Sequence, residues 1–277
     1  MLYPSQTRSF VVKYERVGES PSGKAPGFGP GIRGSESLLP SHIHMITQNI
    51  KFAIGNEILA GRLVTDQKEH KPQLLFFHGA GQSHKGRSLK LAEQLAKRGI
   101  SSFAFDFSGH GESTGTLEAS SLAKRTNEAK SALQFLDLNK PITVCGFSMG
   151  AYIAIQLLKF AQVETLGLFY PAIYSRKVFN LPHGKERSEL LRQLESWKDT
   201  DATEILQDFK GNLLIYIGDN DEVIPKGIIT LLDDSSPNAA SKKIQIIPGG
   251  THHLLDTIYP DQQLLESIVN DIAHLSP

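Results

Sequence analysis

Short apolar runs of strand-forming residues alternate with helical patterns along most of this chain. The patterns predict strands at 74–78, 101–107, 142–146 and 165–169, with helices between them at about 88–98, 117–136 and 150–160. Strands joined by helices of this length favour right-handed crossovers and a mostly parallel central sheet with helices on both faces. The fold class is therefore α/β.

Two further groups of elements flank this alternation. Residues 46–53 and 57–65 are predicted to be two short strands around a Gly55-Asn56 turn, which makes an antiparallel N-terminal hairpin. After residue 210 the α/β alternation resumes, and the patterns predict a strand at 212–217, a helix after Pro225, a strand at 243–247 and a closing helix from about Asp261.

No strand pattern is present between about residues 173 and 210. Leu190, Leu191, Leu194 and Trp197 recur there at helical spacing with charged residues between them, which predicts one amphipathic helix. Because this segment interrupts the alternation between two strands, we expect residues 173–210 to be a short helical lid insertion.

The first 44 residues differ in composition from the rest of the chain. Glycine and proline are dense between residues 21 and 34, and such a segment cannot bury enough apolar surface to offset the entropy of ordering it. Residues 1–44 are therefore predicted to be a disordered Gly/Pro-rich lead, and residues 45–277 a single domain. Met45 opens the patterned region, so we expect it to be a natural start or a domain boundary.

Charge and cysteine content exclude several classes of protein. The chain carries 29 Lys plus Arg against 29 Asp plus Glu, which leaves no positive excess for binding nucleic acid. A single cysteine rules out an internal disulfide and a multi-cysteine metal site, and it fits a reducing cytoplasm. No apolar run is long enough for a transmembrane helix or a signal-peptide core. The expectation is a cytoplasmic protein; the oligomeric state stays open.

The sequence 146–150, Gly-Phe-Ser-Met-Gly, lies between a predicted strand and a predicted helix. A serine on such a tight turn needs small residues two positions before and after it, because neighbouring backbone comes too close for side chains. The start of the following helix offers unpaired N–H groups and a positive dipole end, which stabilise an oxyanion. Ser148 is therefore predicted to be a nucleophile.

These features resemble the α/β-hydrolase fold superfamily, and the resemblance covers nearly everything from about residue 46 onward. In that superfamily the nucleophile is followed along the chain by an acid and then by a histidine. The resemblance selects Asp221 as the acid, after strand 212–217 and before an apolar-Pro ending, with Asp219 as the alternative. It selects His252 as the base from its Pro-Gly-x-x-His spacing, with His253 as the alternative.

Two further loops resemble those of the superfamily. In His78-Gly79-Ala80-Gly81 the resemblance implies that the backbone N–H of Ala80 joins that of Met149 in an oxyanion hole, and that His78 fixes the loop. The turn that begins at Asp106 is implied to be structural. Cys145, directly before the Gly146–Gly150 turn, is expected to be buried in the core rather than reactive.

The resemblance implies a serine hydrolase, of the branch with monoglyceride-lipase-like, serine-aminopeptidase-like and acyl-esterase proteins. We expect it to cleave a small-molecule acyl ester through an acyl-enzyme, with no metal and no other cofactor. A thioesterase or a peptidase with the same three residues is the alternative within enzymes. A protein of this fold that binds a ligand without catalysis is a further alternative.

Overall fold

The computed structural model of the protein describes residues 13–15, 45–66 and 71–277. Its strands in chain order are β1 (Lys13–Glu15), β2 (Ile46–Ile54), β3 (Glu57–Thr65), β4 (Leu74–Phe77), β5 (Ser102–Phe105), β6 (Ile142–Phe147), β7 (Val163–Phe169), β8 (Asn212–Gly218) and β9 (Ser241–Ile247). Within the described residues they form one sheet, in the order β1-β2-β3-β5-β4-β6-β7-β8-β9.

The sheet is antiparallel at one side and parallel over the rest. Strands β1, β2, β3 and β5 pair antiparallel, whereas all pairs from β5 through β4 to β9 are parallel. Strands β2 and β3 pair along their whole length around a turn in which Gly55 has a φ of 58°. The predicted α/β class, the mostly parallel sheet and the opening hairpin are confirmed.

Eight α-helices lie in the described part of the chain. They are α1 (Leu89–Ala96), α2 (Leu122–Phe135), α3 (Met149–Leu157), α4 (Lys185–Leu191), α5 (Ala202–Gln207), α6 (Lys226–Asp234), α7 (Leu254–Ile258) and α8 (Gln262–Leu275). Every residue of β4, β5 and β6 is buried, as expected for central strands whose two faces are both covered by helices. None of the described helices is long and apolar enough to cross a membrane.

Helix α2 begins at Leu122, five residues later than the apolar pattern predicts. Ser121 is extended, and its side chain accepts a hydrogen bond from the backbone N–H of Lys124. This interaction satisfies one of the unpaired N–H groups of the first helical turn. A local cap therefore decides where the helix begins, and the apolar residue Leu117 lies before it in the connecting loop.

The prediction of one amphipathic helix through Trp197 is wrong. Helix α4 ends at Leu191, and Trp197 lies in a separate 3-10 helix, Ser196–Lys198. Between them Glu195 adopts a left-handed conformation with a φ of 54°, which interrupts the helix, and Leu194 is 94% exposed. The segment is therefore a broken helical connection with an exposed apolar side chain.

The predicted lead falls almost entirely outside the described residues. Only Lys13–Glu15 is described within it, as β1, which pairs with residues 49–51 of β2. The disordered lead and the proposed boundary at Met45 stay predictions.

Replacing Ser121 with Ala is expected to lower the free energy of unfolding by about 1 kcal/mol, because the Lys124 N–H loses its acceptor. Ser121→Asp retains an acceptor at the same place and is expected to stay close to the wild type. Urea unfolding followed by circular dichroism measures both changes. An alanine variant as stable as the aspartate variant contradicts the capping role.

Candidate active site

Ser148 lies in the turn between β6 and α3 with φ 50° and ψ −115°, a conformation that non-glycine residues rarely adopt. The turn is held by its backbone, since the Ser148 N–H donates to Phe169 O at 3.0 Å and Ser148 O accepts from the N–H of Ala172. Such strain is found where surrounding structure imposes it and is common at functional sites. The hydroxyl is thereby presented at the carboxyl end of β6.

The two flanking glycines are required by close backbone contacts. A Cβ on Gly146 would lie 2.3 Å from the carbonyl oxygen of Gly150. A Cβ on Gly150 would lie 2.1 Å from the carbonyl oxygen of Phe77 at the end of β4. Both distances are far below any real carbon–oxygen contact, so the steric reason given for these glycines in the sequence is confirmed.

Ser148, His252 and Asp221 form a hydrogen-bonded series. The Ser148 hydroxyl lies 3.1 Å from His252 Nε2, and His252 Nδ1 lies 3.0 Å from an oxygen of Asp221. The other oxygen of Asp221 accepts from the N–H groups of Val223 and Ile224 at 2.8 and 2.9 Å. Because those bonds fix the carboxylate, His252 donates from Nδ1 to Asp221 and leaves Nε2 free to accept from the serine.

The alternative residues lie elsewhere. Asp219 accepts a hydrogen bond from the Gly249 N–H at 2.8 Å and so supports the turn before the histidines. His253 is exposed, and its ring centroid is 6.3 Å from that of His252. In the described structure His253 makes no hydrogen bond to Ser148, and Asp219 makes none to either histidine. The geometry therefore favours Asp221 and His252.

The loop after β4 packs beside the serine. A Cβ on Gly79 would lie 3.3 Å from Ser148 Cβ, so the backbone leading to Ala80 runs next to the hydroxyl. Met149 is the first residue of α3, where a backbone N–H has no acceptor within the helix. The two main-chain groups that the resemblance implies for an oxyanion hole therefore come from segments adjoining Ser148.

His78 connects this loop to the loop after β5. Its Nδ1 lies 2.7 Å from Gly79 O, and its Nε2 accepts a hydrogen bond from the Phe107 N–H at 3.0 Å. Burial lowers the pKa of His78 to about 3, so the ring is neutral and Nδ1 carries the proton. These contacts agree with a loop-fixing role.

Asp106 connects the same two loops through a contact with Lys85 that sequence reasoning missed. It accepts from the backbone N–H of Lys85 at 2.6 Å, from Lys85 Nζ at 2.7 Å and from the Glu112 N–H at 2.9 Å. Burial acts to raise the pKa of Asp106, but the hydrogen bonds from Lys85 outweigh it and hold the pKa below its usual value. No local pattern distinguishes Lys85 from a surface lysine.

Tyr170 is a second residue that the sequence did not point to. It follows β7 with a φ of 38°, and its ring packs edge-on against His252 with 5.0 Å between centroids. Burial raises the pKa of its phenol, so the group stays neutral. The ring thus restricts the orientation of His252. Cys145 is fully buried, as expected, and burial raises the pKa of its thiol.

A cavity of about 690 Å³ opens beside Ser148 and His252. Its apolar lining comes from the segment after β7, the 173–210 insertion and the approach to α6: Ala172, Ile173, Tyr174, Leu191, Trp197, Val223, Ile224, Pro225 and Ile228. Its polar lining comes mainly from the region after β4: Gln82, Ser83, His84 and Arg87. None of the described lining residues is acidic. The serine therefore adjoins a space suited to an apolar group.

The chain is similar to known proteins in sequence and in fold. Residues 68–182 match the family model of the serine aminopeptidases, S33. The complex of Est1E from Butyrivibrio proteoclasticus with ferulic acid has a TM-score of 0.61 at 18% identity, covering 81% of this chain and 96% of that one. The chain therefore has the α/β-hydrolase fold.

Two further solved structures have the same fold as this α/β-hydrolase-fold protein. The monoacylglycerol lipase of Paleococcus ferrophilus has a TM-score of 0.58 at 20% identity, covering 74% of this chain and 96% of its own. The thioesterase domain from the curacin biosynthetic pathway has a TM-score of 0.62 at 14% identity, covering 83% and 99%. None of the curated proteins compared with the chain matches it. The similar proteins agree on hydrolysis as the reaction and differ in the bond cleaved.

The neutral buried histidines predict that the protein loses stability in mild acid. Burial lowers the pKa of His78 to about 3, and burial together with Arg125 also lowers that of His110. In the unfolded chain both rings take up a proton near pH 6.5, so the unfolded state binds more protons as the pH falls below that value. His78 alone is expected to remove about 2 kcal/mol of stability between pH 7 and pH 5.

Urea unfolding at a series of pH values measures this loss, and NMR of the histidine rings assigns it. The His78 ring is expected to stay neutral throughout this range. A flat stability profile, or a His78 ring that titrates near pH 6.5, contradicts the prediction.

Proposed function

We propose that the protein is a serine hydrolase that cleaves carboxylic esters through an acyl-enzyme. The observation that carries the proposal is the hydrogen-bonded series of Ser148, His252 and Asp221 beside a cavity with one apolar wall. A serine hydroxyl is a poor nucleophile until an imidazole accepts its proton, and the carboxylate holds the imidazole in the right tautomer and stabilises its charged form.

In the first half-reaction, Ser148 Oγ attacks the ester carbonyl carbon while its proton moves to His252 Nε2. The oxyanion of the tetrahedral intermediate accepts hydrogen bonds from the backbone N–H groups of Ala80 and Met149. When the intermediate collapses, the carbon–oxygen bond to the alcohol breaks and His252 returns the proton to the leaving oxygen. The acyl group is then esterified to Ser148.

In the second half-reaction, His252 accepts a proton from water, and the resulting nucleophile attacks the acyl carbon. Collapse of the second tetrahedral intermediate breaks the bond to Ser148 Oγ, which takes back the proton from His252. The carboxylic acid leaves, and the resting hydroxyl is restored. Every step uses side chains and main-chain groups of this chain, and the scheme requires no cofactor.

Residues 173–210 are proposed to act as a lid over this site. Leu191, Ser196 and Trp197 from this segment line the cavity, and the same segment contributes Tyr174. Phe179 O accepts from the Ala123 N–H at 2.9 Å, which attaches the first part of the insertion to the start of α2. The insertion thereby supplies much of the apolar wall against which an acyl chain packs.

An ester fits the cavity better than the substrate of an aminopeptidase. An enzyme that holds a peptide amino terminus must compensate a buried ammonium group, usually with a carboxylate. The described lining residues offer none, and they include the guanidinium of Arg87, which does not attract such a group. A thioester presents the same carbonyl chemistry. Because one structure of the same fold is a thioesterase domain, a thioester is the second candidate substrate. Parallel assays of matched oxygen esters and thioesters distinguish the two.

Paired substitutions test the assignment of each catalytic residue. Asp221→Asn and His252→Gln, like Ser148→Ala, are expected to lower kcat for a p-nitrophenyl ester by about 10⁴-fold or more. Asp219→Asn and His253→Gln change the neighbouring residue of the same type and are expected to retain turnover within about tenfold, because neither side chain is part of the hydrogen-bonded series. The measurement is steady-state hydrolysis at neutral pH by folded variants.

A fluorophosphonate probe provides a test that needs no substrate. The wild type is expected to be labelled on Ser148, with peptide mass spectrometry locating the adduct. Folded wild-type protein that remains unlabelled and hydrolyses no ester would favour a ligand-binding protein and overturn the proposal. A reversed effect of the two histidine variants would reassign the base to His253.

A further inference from the structure

We propose that Trp197 determines which acyl chains the protein accepts, by closing the far end of the cavity until a long chain displaces its indole ring. The inference rests on the proposed function and adds a substrate class to it, namely esters of long-chain acids. Beyond the indole lies a second space, the lid groove, which is lined by Leu191, Leu194, Trp197, Pro225, Gly227 and Leu231 among others.

The two spaces share part of their lining. The cavity beside Ser148 holds about 690 Å³ and the lid groove about 850 Å³. Four residues line both: Leu191, Ser196, Trp197 and Pro225. Trp197 has by far the largest side chain of the four, so moving it joins the two spaces more than any other single change.

The indole is held by packing and by one contact with an ammonium group. A Cβ on Gly227 would lie 2.8 Å from the Trp197 ring, so the ring packs directly against the bare backbone at the start of α6. The Lys198 ammonium lies 5.7 Å from the ring centroid. Within the described residues the indole N–H donates no hydrogen bond, so displacing the ring breaks only its packing and its contact with Lys198.

The lid groove offers several apolar side chains to an alkyl chain. Leu191, Leu231 and Pro225 give it apolar walls, and Leu194, which is 94% exposed, adds an apolar side chain that nothing in the described structure covers. Four charged side chains also line the groove: Arg192, Glu195, Lys198 and Asp234. A long acyl chain whose carbonyl is at Ser148 would pass Trp197 to enter this groove, and each methylene buried there would improve binding several-fold.

Tryptophan fluorescence reports directly on the proposed displacement, because Trp197 is the only tryptophan in the chain. Stearate brominated at mid-chain is added to the full-length wild-type protein, with unbrominated stearate and butyrate as controls. The brominated acid is expected to quench the emission by contact, stearate to shift the emission without quenching it, and butyrate to leave it unchanged. Binding is measured separately as protection of Ser148 against slow fluorophosphonate labelling.

Protection without quenching, or no protection by the long acids, overturns the role of Trp197 while leaving the proposed function intact. Absence of labelling at Ser148 in the folded protein contradicts the proposed function itself. The two failures are therefore distinguishable in one experiment.

Chain-length preference gives a second test, expressed as the ratio of kcat/KM for p-nitrophenyl laurate to that for the butyrate. Trp197→Ala joins the two spaces permanently and is expected to raise this ratio at least tenfold, with Trp197→Phe intermediate. Adding Thr230→Lys to Trp197→Ala places a charge in the groove, where Thr230 lies, and is expected to remove most of the gain.

Gln263→Lys is the matched control for that charge, since Gln263 is exposed on α8 and lines neither space. Added to Trp197→Ala, it is expected to leave the raised ratio in place. An unchanged ratio in the alanine variant, or a gain that survives Thr230→Lys, contradicts the path through the groove. Circular dichroism and butyrate turnover of each variant establish that it is folded.

Discussion

The candidate active site depends on one close contact between backbones, where the turn after β6 meets the end of β4. Gly150 lies so near the Phe77 carbonyl that a single added carbon would be 2.1 Å from its oxygen. This contact places the strained turn of Ser148 against the loop that continues from β4 through Gly79. Ser148 and the adjoining main-chain N–H groups are therefore positioned together by the packing of two neighbouring parallel strands, and not by side chains that could rotate away.

A layer of buried polar groups fixes the loop on which that arrangement depends. His78, from the loop after β4, bonds to Phe107, and Asp106, from the loop after β5, bonds to Lys85. Buried charges are costly unless every partner is in place, so this network favours one conformation of the two loops more than it adds stability. The insertion beyond Tyr174 has fewer such constraints around Trp197. The candidate catalytic residues are thus fixed by the sheet and its loops, whereas the length of the proposed substrate cavity depends on packing around Trp197 that can change.

Sequence predicted best what is encoded over a few neighbouring residues. The strand, tight turn and helix around Ser148 and the α/β alternation are local patterns, and the structure has both. The break at Glu195 was missed because helical spacing of apolar residues does not reveal a single left-handed residue between them. Lys85 and Tyr170 were missed because their importance arises from contacts with residues distant in the chain, Asp106 and His252. For the acid, the sequence resemblance had already favoured Asp221 over Asp219, and the loop conformation adds the contacts that distinguish them.

The different environments of Asp221 and His252 suit the two half-reactions proposed for this site. The Asp221 side chain is 1% exposed and is held by two backbone N–H groups, so it can orient the histidine without competing contacts from water. The His252 side chain is 22% exposed and faces the cavity, where deacylation needs a water molecule within reach of Nε2. Tyr170 packs against one side of the ring and limits its rotation. An immobile acid and a partly exposed base let the same imidazole serve the serine first and the water afterwards.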